Sequence, residues 1–312
     1  MRLNTIILLS LTSLLLLSCA SGRLKEANAL YDSGDYRAAV KSLITIIENT
    51  PENADAHLLL GKTLQAQRKI SAAFEEFKIA NQLDPNNRDA ASALQQYYAD
   101  DGKQKLKAGK VEEAITLYSK AHKLDESDSE TSLGLANAYI KIGLLTKAEG
   151  LLGNVSGFRE EVNESNTRIG KQKNIASTAF AKGKKAYDKG QYSSAKKHMD
   201  MAIMNNRDDN DIKYYSYMSN GLFLYKKGSR WQIWDAIVEF GKASEISPLS
   251  AEANYYQALG YLKKDDKDFD NIISFYEKAL ELDVDKKFTS EIKKGLKKQR
   301  QRKKVLDEFW GK

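Results

Sequence analysis

ADAHLLLGKTLQAQRKISAAFEEFKIANQLDPNN, Ala54 to Asn87, carries its apolar residues at three- and four-residue steps in two runs split near Gln67-Arg68-Lys69. That spacing gathers each run's apolar side chains on one face of a helix, so the stretch predicts two amphipathic helices joined by a short turn. Gly61 and Ala73 are small enough to let the helices approach, and Phe77 is large enough to fill the layer between them. Pro85 cannot continue the second helix and marks its exit.

The pattern returns. Ala39 precedes Ala73 by 34 residues, as Leu43 precedes Phe77, Pro51 precedes Pro85 and Ala114 precedes Ala148. The steps from Ala73 to Ala114 and from Ala195 to Ala236 are 41, that from Ala148 to Ala195 is 47, and that from Ala236 to Ile272 is 36. Seven extra residues are close to two helical turns, so a helix can lengthen and keep its faces in phase. All three prolines (Pro51, Pro85, Pro248) share one phase, and Gly34, Gly109, Gly143 and Gly190 share another, at the turn between paired helices. Seven units follow, at roughly 20–53, 54–87, 95–128, 129–162, 176–209, 210–250 and 251–284.

Leu60, Gly61, Leu64, Ala73, Phe77, Ala80 and Pro85 stand at the spacing of the tetratricopeptide repeat, which this segment closely resembles. The resemblance implies an all-α solenoid of about seven helix-turn-helix repeats, with the first helix of each pair lining a concave face that binds extended peptides or partner helices. Four repeats are expected in 19–152 and three in 176–284. Between them 153–175, with Gly153, Gly157, Asn154, Asn163 and Asn166, reads either as a loose junction or as one irregular helix in an unbroken stack. Within the basic C-terminal segment 285–312, residues 286–312 hold eleven Lys and Arg against Glu291, Asp307 and Glu308, +8 beside a whole-chain charge of +7. Basicity is therefore local. An apolar stripe at Phe288, Ile292 and Leu296, continued at Leu306, Phe309 and Trp310, predicts a basic helix that caps the last repeat.

The N-terminus reads differently. Arg2 precedes an apolar run from Ile6 to Leu17, about twelve residues, too short for the roughly 20 that span a bilayer. Residues 1–18 therefore read as a signal peptide. Leu16-Leu17-Ser18-Cys19 resembles a bacterial lipobox, which implies that Cys19, the only cysteine, is acylated and becomes the first residue of a lipid-anchored protein. Ala20 follows Cys19 where an Asp would mark inner-membrane retention, which points to the outer membrane facing the periplasm, or to the cell surface.

No catalytic constellation stands out. His57, His122 and His198 lie in different repeats, and no Cys-x-x-Cys, phosphate loop or Gly-x-Ser-x-Gly turn occurs. No enzyme activity, cofactor or metal is expected. Eight residues into each first helix stand Asn28, Lys62, Lys103, Asn137, Lys184, Tyr225 and Tyr261, a column able to hold a peptide backbone or carboxylate. The bland alternative is a solvated polar face. Partners are expected to be envelope proteins or peptides, the bilayer through Cys19, and an acidic protein or polymer at the basic helix; no nucleic acid is expected. The function this implies is an envelope scaffold or adaptor. The alternative is a solute-binding accessory lipoprotein of a transport system, with its site among Tyr214, Tyr215, Tyr217, Tyr225, Tyr255, Tyr256 and Tyr261.

Overall fold

A computed structural model describes residues 22–311, all of whose regular structure is helical. Residues 22–32 form α1. Then follow α2 (Tyr36–Asn49), α3 (Ala54–Ala66), α4 (Ile70–Leu83), α5 (Arg88–Lys107), α6 (Val111–Leu124), α7 (Ser129–Lys141) and α8 (Leu145–Leu152). The chain continues with α9 (Arg159–Asp188), α10 (Tyr192–Asn205), α11 (Asn210–Lys227), α12 (Arg230–Ile246), α13 (Ala251–Lys264), α14 (Phe269–Leu282) and α15 (Thr289–Trp310). In chain order these are seven helix pairs and a final helix, the architecture of a tetratricopeptide-repeat solenoid. Cys19 and the expected signal segment lie outside the described residues.

The chain divides into two compact units. The first runs to Ala138 and takes in Asn154–Gly157; the second comprises Tyr139–Gly153 and everything from Phe158 onward. Of the stretch 153–175, only the first few residues are irregular. From Arg159 a single helix of 30 residues runs to Asp188, because polar helix formers dominate there and no proline interrupts them. The second helix of the fourth pair, α8, is correspondingly cut to eight residues. It is held within its unit by Asp208, whose carboxylate accepts from the amides of Thr146 (2.9 Å) and Lys147 (3.2 Å).

The seven-residue expansions have a simple structural meaning. α5 has 20 residues where α3 has 13, so the extra two turns are stacked onto a first helix without changing its buried face. Starts are set by caps. Asn53 and Asn87, each two residues after a repeat-phase proline, accept from the amides of Ala56 (3.0 Å) and Ala90 (3.1 Å). Ser250, two residues after Pro248, accepts from Ala253 (3.1 Å).

Packing in each unit turns on a large side chain of one helix seated on a glycine of a neighbour. Tyr118 of α6 lies between Gly102 of α5 and Gly134 of α7; a β-carbon added at Gly134 would come within 2.5 Å of its ring. Burial pushes the Tyr118 phenol up to about 12, so it remains neutral. In the second unit Phe240 of α12, fully buried, takes the same place against Gly221 of α11. α15 buries Ile292, Leu296 and Gln299, which covers the apolar face of the last pair.

The turn glycines carry a test of this reading. Gly34, Gly109, Gly143 and Gly190 have φ between 67° and 81°, the left-handed region. The second pair puts Arg68 there instead, at φ 63°. A side chain in that region costs about 1–2 kcal/mol, partly offset by the greater freedom glycine has when unfolded. Arg68→Gly is therefore expected to stabilise the first unit by about 1 kcal/mol in urea titration, and Gly34→Ala to destabilise it similarly. Equal stability of Arg68→Gly and the parent would show that the turn is not strained.

Candidate partner-binding groove

In the first unit the first helices of successive pairs present cations that are already engaged. Lys62 of α3 donates to Asp89 of α5 at 2.7 Å, and Lys103 of α5 donates to Glu130 of α7 at 2.9 Å. Each acid lies 27 residues beyond its lysine and is the second residue of its helix. There the positive end of the helix dipole favours a carboxylate, and the lysine of the preceding pair lies within reach. The hydrogen bond from Lys62 holds Asp89 below its ordinary range, and the one Lys103 donates to Glu130 holds Lys103 above its own. Asp55, Asp211 and Glu252 occupy the same second position in α3, α11 and α13.

These pairs are half-exposed or exposed, so each contributes only about 0–1 kcal/mol to the fold. A partner's carboxylate or backbone carbonyl can take over the lysine at little cost. Asn28 and Lys62 line one open depression of about 640 Å³ with Leu24, Tyr31, Asp55 and Leu58. Its wall is apolar at the leucines and polar at the rim. Asn28 itself donates to Asp32 at 2.8 Å. Beside α5, Gln95 donates to Asp128 and to Thr131, both at 2.8 Å, which ties α5 to the start of α7.

Asn137, on α7, is half-buried and engaged in an interaction of its own. Of the seven residues in the column, Asn28 and Lys62 line a common depression. Lys184 of α9 pairs with Asp188 on its own helix, and its ammonium lies 5.0 Å above the Tyr215 ring. Tyr225 lies beneath Lys263, whose ammonium is 4.5 Å from the ring centroid. Tyr261 stacks on Phe275 with centroids 5.4 Å apart. The late tyrosines, all seven half-buried, pack against the buried core of the second unit.

Two tyrosine hydroxyls of this unit are engaged internally. Tyr187 donates to Glu252 at 2.9 Å, and Tyr214 shares a hydrogen bond with Ser250 at 2.7 Å. Burial, reinforced by the Glu252 charge, raises the Tyr187 phenol far above its ordinary range, so it acts as a neutral donor. Tyr215 stands edge-on to Tyr187 at 5.3 Å and to Phe180 at 5.7 Å.

The residues that sequence reasoning passed over are the second-position acids. Their 27-residue offset from the lysines was visible in the sequence, but only in helices whose starts are known. The histidines take structural places: His57 bonds Glu76 at 2.7 Å and the Pro51 carbonyl at 2.9 Å, which fastens the turn before α3, and His122 lies 3.3 Å from Ser132. Among the described residues no cluster of three or more His, Cys, Asp or Glu is placed to hold a metal ion. No described helix is long and apolar enough to cross a membrane.

Comparison with known proteins agrees with this geometry. Tetratricopeptide-repeat family models match residues 24–88, 105–157 and 253–285. A TPR repeat-containing protein of Methanocaldococcus jannaschii is 27% identical over 271 residues, 86% of this chain and 44% of that protein. Tetratricopeptide repeat protein 37 of Xenopus laevis is 30% identical over 142 residues, 44% of this chain and 9% of that protein. The chain thus spans less than half the length of these curated relatives. Among solved structures, the TPR2AB-domain:pHSP90 complex of yeast Sti1 is 15% identical with a TM-score of 0.38, over 91% of this chain and 99% of that one. A repeat protein of Parabacteroides merdae is 14% identical at a TM-score of 0.36, over 90% and 98%. Repeat matches near both ends and in the middle of the chain, on helix pairs with the repeat's period and glycine–aromatic packing, show tetratricopeptide repeats at 24–88, 105–157 and 253–285 within an all-helical repeat fold.

Proposed function

We propose that the protein is a non-catalytic scaffold of a bacterial cell envelope, moored by acylated Cys19 and binding protein or peptide partners along its first helices. The observation that carries the binding reading is the recurring exposed ion pair, Lys62–Asp89 and Lys103–Glu130, beside the apolar-walled depression at Asn28. Such a row offers a partner charged groups that exchange cheaply and an apolar strip to bury. The anchor rests on the lipobox resemblance of residues 16–19. Placement at the outer membrane rests on Ala20.

The test is a cross-linked pull-down of the lipidated protein from its own envelope. Lys62→Glu, Lys103→Glu and Lys184→Glu together are expected to lower partner recovery at least tenfold, about 1.4 kcal/mol. Helical circular dichroism should stay unchanged, since the pairs contribute little to the fold. In the same preparation Cys19→Ala should move the protein out of the membrane fraction. Undiminished recovery of the same partners by the triple variant would remove the groove from the reading; continued pelleting of Cys19→Ala would remove the anchor.

A further inference from the structure

We propose that the turn joining α11 to α12 is a docking tip for the surface of an anionic bilayer. The tip is KKGSRWQIW, Lys226 to Trp234, with three cations and no carboxylate. Trp231 and Trp234, on the first turns of α12, stand at three-residue spacing and share one face. Trp231 is 83% exposed and Trp234 43%, and Val238, one turn on, prolongs the apolar stripe at 40%. Two uncovered indoles on one face are far more apolar surface than a helix start needs in water.

The rings are held ready. Gly228 ends α11 in the left-handed conformation at φ 77°, and Ser229 and Gln232 close a capping box over the start of α12. The base of the tip is tied down as well. Lys226 donates to the Gly190 carbonyl at 3.0 Å, and Lys263 donates to the Tyr225 carbonyl at 2.9 Å. Both indoles are thus presented on a capped helix, and little ordering entropy is lost on contact.

Charge selects the surface. Lys227 lies 4.5 Å from the Phe223 ring centroid and Lys264 lies 4.3 Å from that of Trp234, so ammonium groups flank the aromatic rings, and Arg230 directly precedes Trp231. An indole settles at the boundary between headgroups and acyl chains, and Lys or Arg beside it meets lipid phosphate. The aromatics stand on the first turns of α12, beside the turn from α11, flanked by cations. That shape suits a soft plane of phosphates better than the pocketed, shape-matched face of an acidic protein. The inference does not depend on the groove.

The chain has three tryptophans, so Trp310→Phe in the full-length protein leaves only Trp231 and Trp234 as reporters, wherever else the chain is held. With vesicles of phosphatidylcholine doped with phosphatidylglycerol, their emission should shift to the blue and be quenched by brominated acyl chains. Lys227→Gln and Arg230→Gln should each weaken this response about fivefold, and added salt should do the same. Helical circular dichroism of these exposed variants verifies that they fold. Three results would overturn the proposal: no shift with anionic vesicles, an equal shift with pure phosphatidylcholine, or unchanged affinity in both charge variants. Protection of the two rings by a lipid-free protein fraction, with none from vesicles, would also overturn it and assign the tip to an acidic protein.

Discussion

Phe240→Ala is expected to destabilise the second unit by about 3–5 kcal/mol, the range for truncating a fully buried aromatic. Phe240 is 0% exposed and lies in the layer shared by α11, α12 and α13. A β-carbon at Gly221 would come 2.5 Å from its ring, and Tyr256 of α13 stacks on it with centroids 5.5 Å apart. Removing the ring leaves a void that Gly221 has no side chain to fill, and helices fixed by their other neighbours cannot close it. Because repeat stability is a sum over units and nearest-neighbour contacts, the loss should fall on α11–α13 first. Urea unfolding followed by hydrogen exchange in that segment measures it, with Phe240→Leu as the milder control at about 1–1.5 kcal/mol. A loss under about 1 kcal/mol for the alanine variant would mean that this ring is not the keystone of its layer.

That layer also shows what the sequence exposes and what it hides. Helix pairs, turns and caps follow from local chemistry: Pro85 stops a helix, Asn87 starts the next, and Gly34 or Gly109 permits the turn. Each acts within a few residues, so one chain suffices to read it. The long α9 was harder. Gly153 and Gly157 do interrupt the chain, but from Arg159 polar residues with good helix propensity carry one helix through a stretch whose apolar periodicity is faint. Periodicity reports burial. A helix that is largely solvated has little of it.

The candidate column could be written from the sequence as positions, but not as a set of contacts. Lys62 and Lys103 are each 27 residues from their acids in the sequence, and only the stacking of successive first helices brings them together. Tyr225 and Tyr261 fall in the same column, yet their rings turn toward Lys263 and Phe275, because half-buried aromatics gain more from interhelix packing than from water. The basic C-terminal helix shows a similar diversion. Arg300 pairs with Glu277 at 2.6 Å, Lys303 with Asp270 at 2.6 Å, and Arg302 with Asp266. Part of the +8 is therefore matched by the last repeat itself, and the helix acts as a cap before it acts on any partner.

Asp283→Ala is expected to loosen that cap by about 1–3 kcal/mol, the cost of taking the acceptor from three donors at a partly buried turn. Asp283 ends α14 and is 8% exposed. Its carboxylate accepts from the amides of Lys287 at 3.0 Å and Phe288 at 2.9 Å, and from the Thr289 hydroxyl at 2.7 Å. These bonds shape the turn in which Lys286 takes φ 57° and from which α15 starts. Desolvation pushes the carboxyl up, but the hydrogen bonds from Thr289, Phe288 and Lys287 outweigh it and hold it below its ordinary value. The sign of the pH effect follows. A carboxyl depressed in the folded state adds stability that is complete above its unfolded pKa, near 4, and is lost as the pH falls through its folded value. The protection factors of the α15 amides, which divide out the intrinsic pH dependence of exchange, should therefore fall in acid in the parent. In Asp283→Asn, which keeps one acceptor oxygen, exchange should be moderately faster at neutral pH and should lose its contribution from this titration. In Asp283→Ala it should be fast at every pH. Slow exchange of α15 in the alanine variant at neutral pH would show that Ile292 and Leu296 hold the cap by packing alone, and that the carboxylate only decorates the turn.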